Sequence, residues 1–131
     1  RERVIVAGAG VAGEQRSRAL IDDPHSVFHP VGFIDELQDR WGSRIHGVRV
    51  LGGVAELPLA LSAQNVRAVF VCISDLPEAT AREIMAICAR SGVDCRVLPA
   101  IKDLPNVSAY ESFSPRWGDT ESLAVTAERS H

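Results

Sequence analysis

Near the amino end, Gly8-Ala9-Gly10-Val11-Ala12-Gly13 has the residue types and spacing to hold a phosphate group. Glycine at the first position permits a tight turn out of a strand. At the second it lets backbone N–H groups approach a pyrophosphate, and at the third it lets the following helix pack close to a sheet. The phosphates would meet the positive end of that helix's dipole. Asp35 stands about twenty positions further on, where a carboxylate can accept hydrogen bonds from ribose hydroxyls. Glu36 beside it would repel a 2′-phosphate, which favours NAD over NADP. Ser74, in the run Cys72-Ile73-Ser74-Asp75, is the candidate contact to the second half of a dinucleotide. Ser74 and Asp75 serve equally well to turn the chain toward Pro77. The same glycines can also form a turn that binds nothing, with Asp35 capping it.

Other side chains carry less. Glu14, at the phosphate end of the first helix, opposes a bound anion by its charge, and Arg16 or Arg18 would offset it or lie in solvent. His25 and His29 have a spacing that suggests a metal, but Pro24 and Pro30 bracket them and prevent the regular helix that would align the pair, so they read as solvated loop residues, as does His46. No metal site is expected. Cys72, Cys88 and Cys95 lie in apolar stretches without Cys-x-x-Cys spacing and read as buried reduced thiols, which fits a cytoplasmic compartment.

The elements that must position these groups follow from the apolar pattern. Val4-Ile5-Val6-Ala7 is a strand buried on both faces, and it runs into the glycine turn and a helix to about Ile21. Val31–Ile34 is a second strand ending at Asp35. A polar, turn-rich segment, 36–47, leads to a short strand at Val48–Leu51. Val54–Ala63 reads as a short helix with Pro58 near its first turn. Val66–Ile73, the longest apolar run, is the central fourth strand. Glu78–Arg90 is a helix with Ala81, Ile84, Met85 and Cys88 on one face, and Ser91-Gly92 stops it before a fifth strand at Cys95–Leu98. Strands alternating with helices joined by right-handed crossovers predict a single α/β half-Rossmann domain. It has a parallel sheet of about five strands, in the order 3-2-1-4-5, with helices on both faces. That domain spans 1–104, and 105–131, polar and proline-containing, reads as a tail or linker.

Composition narrows the field. The 131 residues fit one domain, and 46% hydrophobic with 24% charged is an ordinary globular balance. Fourteen basic against seventeen acidic residues give no field that would gather nucleic acid. No apolar run approaches the ~20 residues of a membrane helix. The chain opens on Arg1 rather than Met and reads as a piece of something longer. There is no Gly-Lys-Ser/Thr phosphate loop and no Gly-x-Ser-x-Gly nucleophile turn. The single tyrosine, Tyr110, has Ser114 four residues on, and the single lysine, Lys102, precedes it. A tyrosine poised by a following lysine is therefore missing, and no catalytic residue is expected in this chain.

The order of several short motifs points further. Val4–Gly13, Val31–Asp35, Arg44–Gly52, Val69–Ser74 and Gly92–Pro99 together resemble the CoA-binding-like Rossmann domain that precedes the catalytic part of CapD-like polysaccharide biosynthesis proteins. Those are membrane-attached nucleotide-sugar 4,6-dehydratases, and a similar domain precedes some polyprenyl-phosphate sugar transferases. The resemblance covers residues 1–104 and departs from the pattern at Glu14-Gln15, where small or basic residues are expected. It implies a non-catalytic module that binds NAD or a nucleotide-sugar across Gly8–Gly13, with Asp35 on the ribose. It also implies a catalytic domain of the parent protein as partner, and a place in the cytoplasm or at the cytoplasmic face of the inner membrane. This chain carries no membrane segment of its own. A cofactor-sensing regulatory domain and a structural module with an empty crevice, serving homo-oligomer contact, are the other readings.

Overall fold

Val4, Ile5, Val6 and Ala7 are all fully buried, as a strand covered on both faces requires. They are the last four residues of β1 (Glu2–Ala7), the strand about which the sheet is built. The computed structural model describes residues 1–98. In it β1 is followed by α1 (Val11–Asp22), β2 (Phe28–Ile34), β3 (Arg44–Ile45), β4 (Val48–Gly52), α2 (Leu57–Ala63), β5 (Ala68–Cys72), α3 (Glu78–Ser91) and β6 (Asp94–Leu98). The sheet runs β3-β4-β2-β1-β5-β6, parallel except for the β3–β4 pair. Without β3 this is the expected 3-2-1-4-5 order. The expected boundary at 104 and the tail at 105–131 lie outside the described residues.

The period of two along each strand sorts side chains between the faces. Val4, Val6, Phe33 and Phe70 face α1, while Ile5, Ala7, Val69 and Val71 face α2 and α3. On the α1 side Phe28 and Phe70 meet edge to face at 5.0 Å, and the Arg96 guanidinium lies 5.6 Å from the Phe28 ring centre. Pro58 falls in the first turn of α2, where its missing N–H costs nothing. Gly92 closes α3 in the left-handed conformation, with φ of 70°. No helix among the described residues is long and apolar enough to cross a membrane.

Three details differ from expectation. The segment before Val48 contains β3, joined to β4 by His46 and Gly47, both at positive φ (52° and 82°). That is the backbone a two-residue hairpin turn demands. β2 begins at Phe28, so Pro30 lies inside it and His29 is an exposed strand residue rather than a loop residue. The ladder with β1 tolerates the proline because its register slips directly afterwards, Val4 opposing Pro30 and Ile5 opposing Gly32. Finally, the buried stripe of α1 is Ala12, Gly13, Arg16, Ser17 and Leu20. Arg16 is thus buried, and only Arg18 is exposed of the two arginines expected to be solvated or to offset Glu14. The Ser17 hydroxyl donates to the Glu14 carbonyl at 3.0 Å, which satisfies it within the helix.

The first turn of α1 presses directly on the end of β1. A Cβ at Gly13 would stand 1.7 Å from the Gly8 carbonyl oxygen, a backbone atom that cannot step aside. Gly13→Ala must therefore lift α1 off the sheet. We expect a loss of roughly 3 kcal/mol or more, at the upper end for overpacking, read as a lower urea midpoint. An unchanged midpoint would show that the helix moves freely on β1.

Candidate functional site

The carboxyl ends of β1, β2 and β5 meet at one edge of the sheet. β1 is where the chain order reverses: β2 lies on one side and β5 on the other. A crevice at that reversal is where ligands lie in open α/β sheets. Gly8 leaves β1 with φ of 105°, a conformation that side-chain-bearing residues rarely adopt, while its N–H donates to the Ile34 carbonyl at 2.7 Å. Gly10 precedes the helix and its carbonyl accepts the Glu14 N–H at 2.9 Å. The expected sequence of strand, glycine turn and helix is present, with Ala9 and Ala12 buried and Val11 exposed.

Asp35 follows β2 and is buried, with 2% exposure. Its Oδ1 accepts the Ala9 N–H at 2.8 Å and its Oδ2 accepts the Leu37 N–H at 2.9 Å. The Arg40 guanidinium reaches both oxygens, at 3.2 and 3.3 Å. This carboxylate thus ties the glycine turn to the loop after β2. The Trp41 indole N–H donates to the Asp35 carbonyl at 2.8 Å and fixes the loop further.

β5 ends in the 3-10 turn Ile73–Asp75, where Ser74 is exposed. The neighbouring residue makes the contact to the glycine turn. The Asp75 carboxylate accepts the Ala12 N–H on Oδ1 at 3.3 Å and the Gly13 N–H on Oδ2 at 2.7 Å. Those are amides that α1 cannot satisfy internally. Sequence reasoning placed Asp75 only in a turn toward Pro77. The signal available was its position, as the acidic residue after the central strand that faces the first glycine turn.

Glu14 belongs to a third cluster. Its Oε2 lies 2.5 Å from His46 Nε2 and 2.7 Å from Arg18 Nη2, so the β3–β4 hairpin is pinned to the start of α1. The hydrogen bond from His46, and then that from Arg18, hold the Glu14 carboxyl below its ordinary value of 4.5, against a smaller opposing effect of burial. Burial pushes the Cys72 thiol up to about 12, partly offset by the nearby Arg16 charge, with Asp75 adding to the rise. Cys72, Cys88 and Cys95 are all buried, and a thiol as protonated as Cys72 is a poor nucleophile. His25 is exposed, as is His29. Among the described residues no group of three or more His, Cys, Asp or Glu side chains is arranged to hold a metal.

A parallel sheet with its order reversing beside a glycine turn defines a half-Rossmann module. Residues 1–99 match the CoA-binding domain family, and the chain belongs to it. It is a Rossmann-like domain related to the CapD-like polysaccharide-biosynthesis and nucleotide-sugar dehydratase family. The probable polysaccharide biosynthesis protein EpsC of Bacillus subtilis (strain 168) is 26% identical over 102 residues, 78% of this chain. The chain spans 17% of that protein's length. Among solved structures, UDP-D-quinovosamine 4-dehydrogenase from Vibrio fischeri superposes with a TM-score of 0.68 at 21% identity, covering 79% of this chain and 82% of that one. RSP, a Rex-family repressor solved in complex with β-NADH, superposes with a TM-score of 0.63 at 17% identity, covering 93% and 62%. At these identities the likeness is one of fold.

Two measurements probe the site's own bonds. Asp35→Ala leaves the Ala9 and Leu37 amides without their acceptor and Arg40 without its partner. Stability should fall by about 1–3 kcal/mol in the absence of any ligand, checked by urea denaturation. A variant as stable as the parent would mean that water replaces those bonds. Glu14, ionised below its ordinary pKa in the folded chain, contributes stability that is present above about pH 4.5 and is lost as pH falls through the lower folded value. The stability difference between the parent and Glu14→Gln should therefore shrink on acidification below that point. A difference constant from pH 7 to pH 3 would contradict the assignment.

Proposed function

We propose that this domain is a nucleotide-binding, non-catalytic module of a polysaccharide-biosynthesis protein of the nucleotide-sugar dehydratase or epimerase kind. Its ligand is NAD or a nucleotide-sugar. The phosphates lie over Gly8-Ala9-Gly10-Val11-Ala12-Gly13, the ribose lies at Asp35, and Ser74 borders the second half. The observation that carries this reading is the bond from the Ala9 N–H to Asp35, which makes the glycine turn and the β2 carboxylate one constellation. Pyrophosphate and ribose are recognised by that pair of elements. The Vibrio fischeri dehydrogenase, whose name specifies a UDP-sugar, and the NADH-bound repressor support a nucleotide on this fold. CoA, named by the family, shares the adenosine diphosphate group and belongs in the same test.

The partner in this reading is the catalytic domain of the parent protein, with contact between copies of the module as a further role. The working place is the cytoplasm or the cytoplasmic face of the inner membrane, and the buried thiols of Cys72 and Cys88 favour that reducing side. The repressor likeness favours a second reading, a cofactor sensor that controls a partner. The Asp75 carboxylate on the Ala12 and Gly13 amides favours a third, a structural module whose crevice stays empty.

Calorimetry on the 131-residue chain separates these readings. Saturable binding of NAD, a UDP-sugar or CoA supports the nucleotide module, and no heat at millimolar ligand overturns it. In the same preparation, UDP-N-acetylglucosamine with NAD should give no 4-keto product. Product that scales with the chain's concentration and disappears in Tyr110→Phe would make the domain an enzyme.

A further inference from the structure

We infer that Asp75 is a built-in occupant of the anion subsite, so that a ligand phosphate reaches the amides of the glycine turn only by displacing this carboxylate. The inference rests on the nucleotide reading above and assigns that site its gate. The Asp75 carboxylate holds the Ala12 and Gly13 N–H groups at 3.3 and 2.7 Å, the donors that a phosphate oxygen would use. Two glycines of the motif are shaped around it as well. A Cβ at Gly8 would come within 2.8 Å of the Asp75 Cβ and one at Gly10 within 2.9 Å of Oδ1, whereas Gly13 is required first by the Gly8 carbonyl oxygen. The space the motif keeps clear is thus filled by a side chain of the same charge as the ligand.

Charge makes the two occupants exclusive. A phosphate beside an undisplaced Asp75 would meet like charge within hydrogen-bond range, with Glu14 also at the first turn of α1. Asp75 has somewhere to go. It ends the 3-10 turn Ile73–Asp75, whose Ile73 and Ser74 are exposed, and the turn is closed by a long 3.5 Å bond from the Leu76 N–H to the Ile73 carbonyl. Because the Asp75 Cβ sits against Gly8, turning the side chain alone does not clear the site, and the 3-10 turn must shift with it. A lone phosphate must drive that shift using the same two amides that it takes over. A dinucleotide, which also carries ribose and base, has further contacts with which to offset it. The gate therefore selects nucleotides against small inorganic anions.

The test uses inorganic pyrophosphate and NAD as separate probes on the 131-residue chain, with the backbone amides of Ala12 and Gly13 followed by 15N-resolved NMR. Asp75→Asn keeps the shape and one acceptor, and Asp75→Ala removes the group, so loss of folding in the second leaves the first as the measurement. Pyrophosphate should shift those amides in the variants at concentrations roughly tenfold or more below any response of the parent, the scale set by two charge-assisted bonds no longer contested. Equal responses in parent and variants, or none in either, overturn the inference. NAD distinguishes this from the underlying reading. If pyrophosphate takes the variants' turn but NAD binds no version of the chain, the nucleotide reading fails and the Asp75 occupancy stands. If NAD binds parent and Asp75→Asn equally tightly, the occupancy fails and the nucleotide reading stands.

Discussion

The start of α1 presents backbone N–H groups with no partners inside the helix, and much of this site is organised by how they are met. Gly13 brings that first turn so close to β1 that no side chain fits between them. Acceptors must therefore come from the loops at the carboxyl edge of the sheet. Asp75 supplies them to Ala12 and Gly13 from the end of β5, and Asp35, from the end of β2, reaches Ala9 in the turn just before the helix. Since β2 and β5 flank β1 on opposite sides, the two carboxylates close on the turn from both directions. Three separate strands are thereby fixed to one helix end, in addition to their ladder bonds.

Legibility in the sequence followed the strength of the local signal. β1, β5 and the glycine turn were readable because a continuous apolar run ending in spaced glycines suits few other conformations. The order of the five parallel strands follows from short connections and right-handed crossovers, and the sheet has it. β3 was not readable. Its two residues, Arg44 and Ile45, carry no alternation, and the His46-Gly47 turn lacks the usual Asn-Gly signature. The start of β2 was hidden by Pro30, which argues against a strand unless a register slip absorbs it, as happens here.

Arg16 and Asp75 show the same limit at the level of side chains. Polarity in α1 suggested a solvated face, yet Arg16 lies in the buried stripe with Ala12, Gly13, Ser17 and Leu20, beside Cys72. Helical spacing places it there, and spacing outweighs the residue's usual preference for water. At the end of β5, that Asp75 is the residue reaching the glycine turn depends on the phase of a 3-10 turn, which no pattern in the sequence sets. Asp35, by contrast, stands just after β2 as its sequence position indicates, because a strand's end is easier to locate than a turn's phase. What its carboxylate touches, including Arg40, came only with the structure.

The three carboxylates around the glycine turn do not make it a simple acidic patch, because each has its own counterpart. Among the described residues Asp35 is set against Arg40, Glu14 against Arg18 and His46, and Asp75 against the Ala12 and Gly13 amides. Arg40 and Arg18 are cations that a bound anion would also attract, so an incoming phosphate could leave those pairs in place. Asp75 holds amides, which are the groups a phosphate must take. The acidic side chain bonded to those amides is therefore the one in direct competition with a ligand. For this reason the electrostatic character of the crevice turns on the position of Asp75 more than on the net charge of the chain.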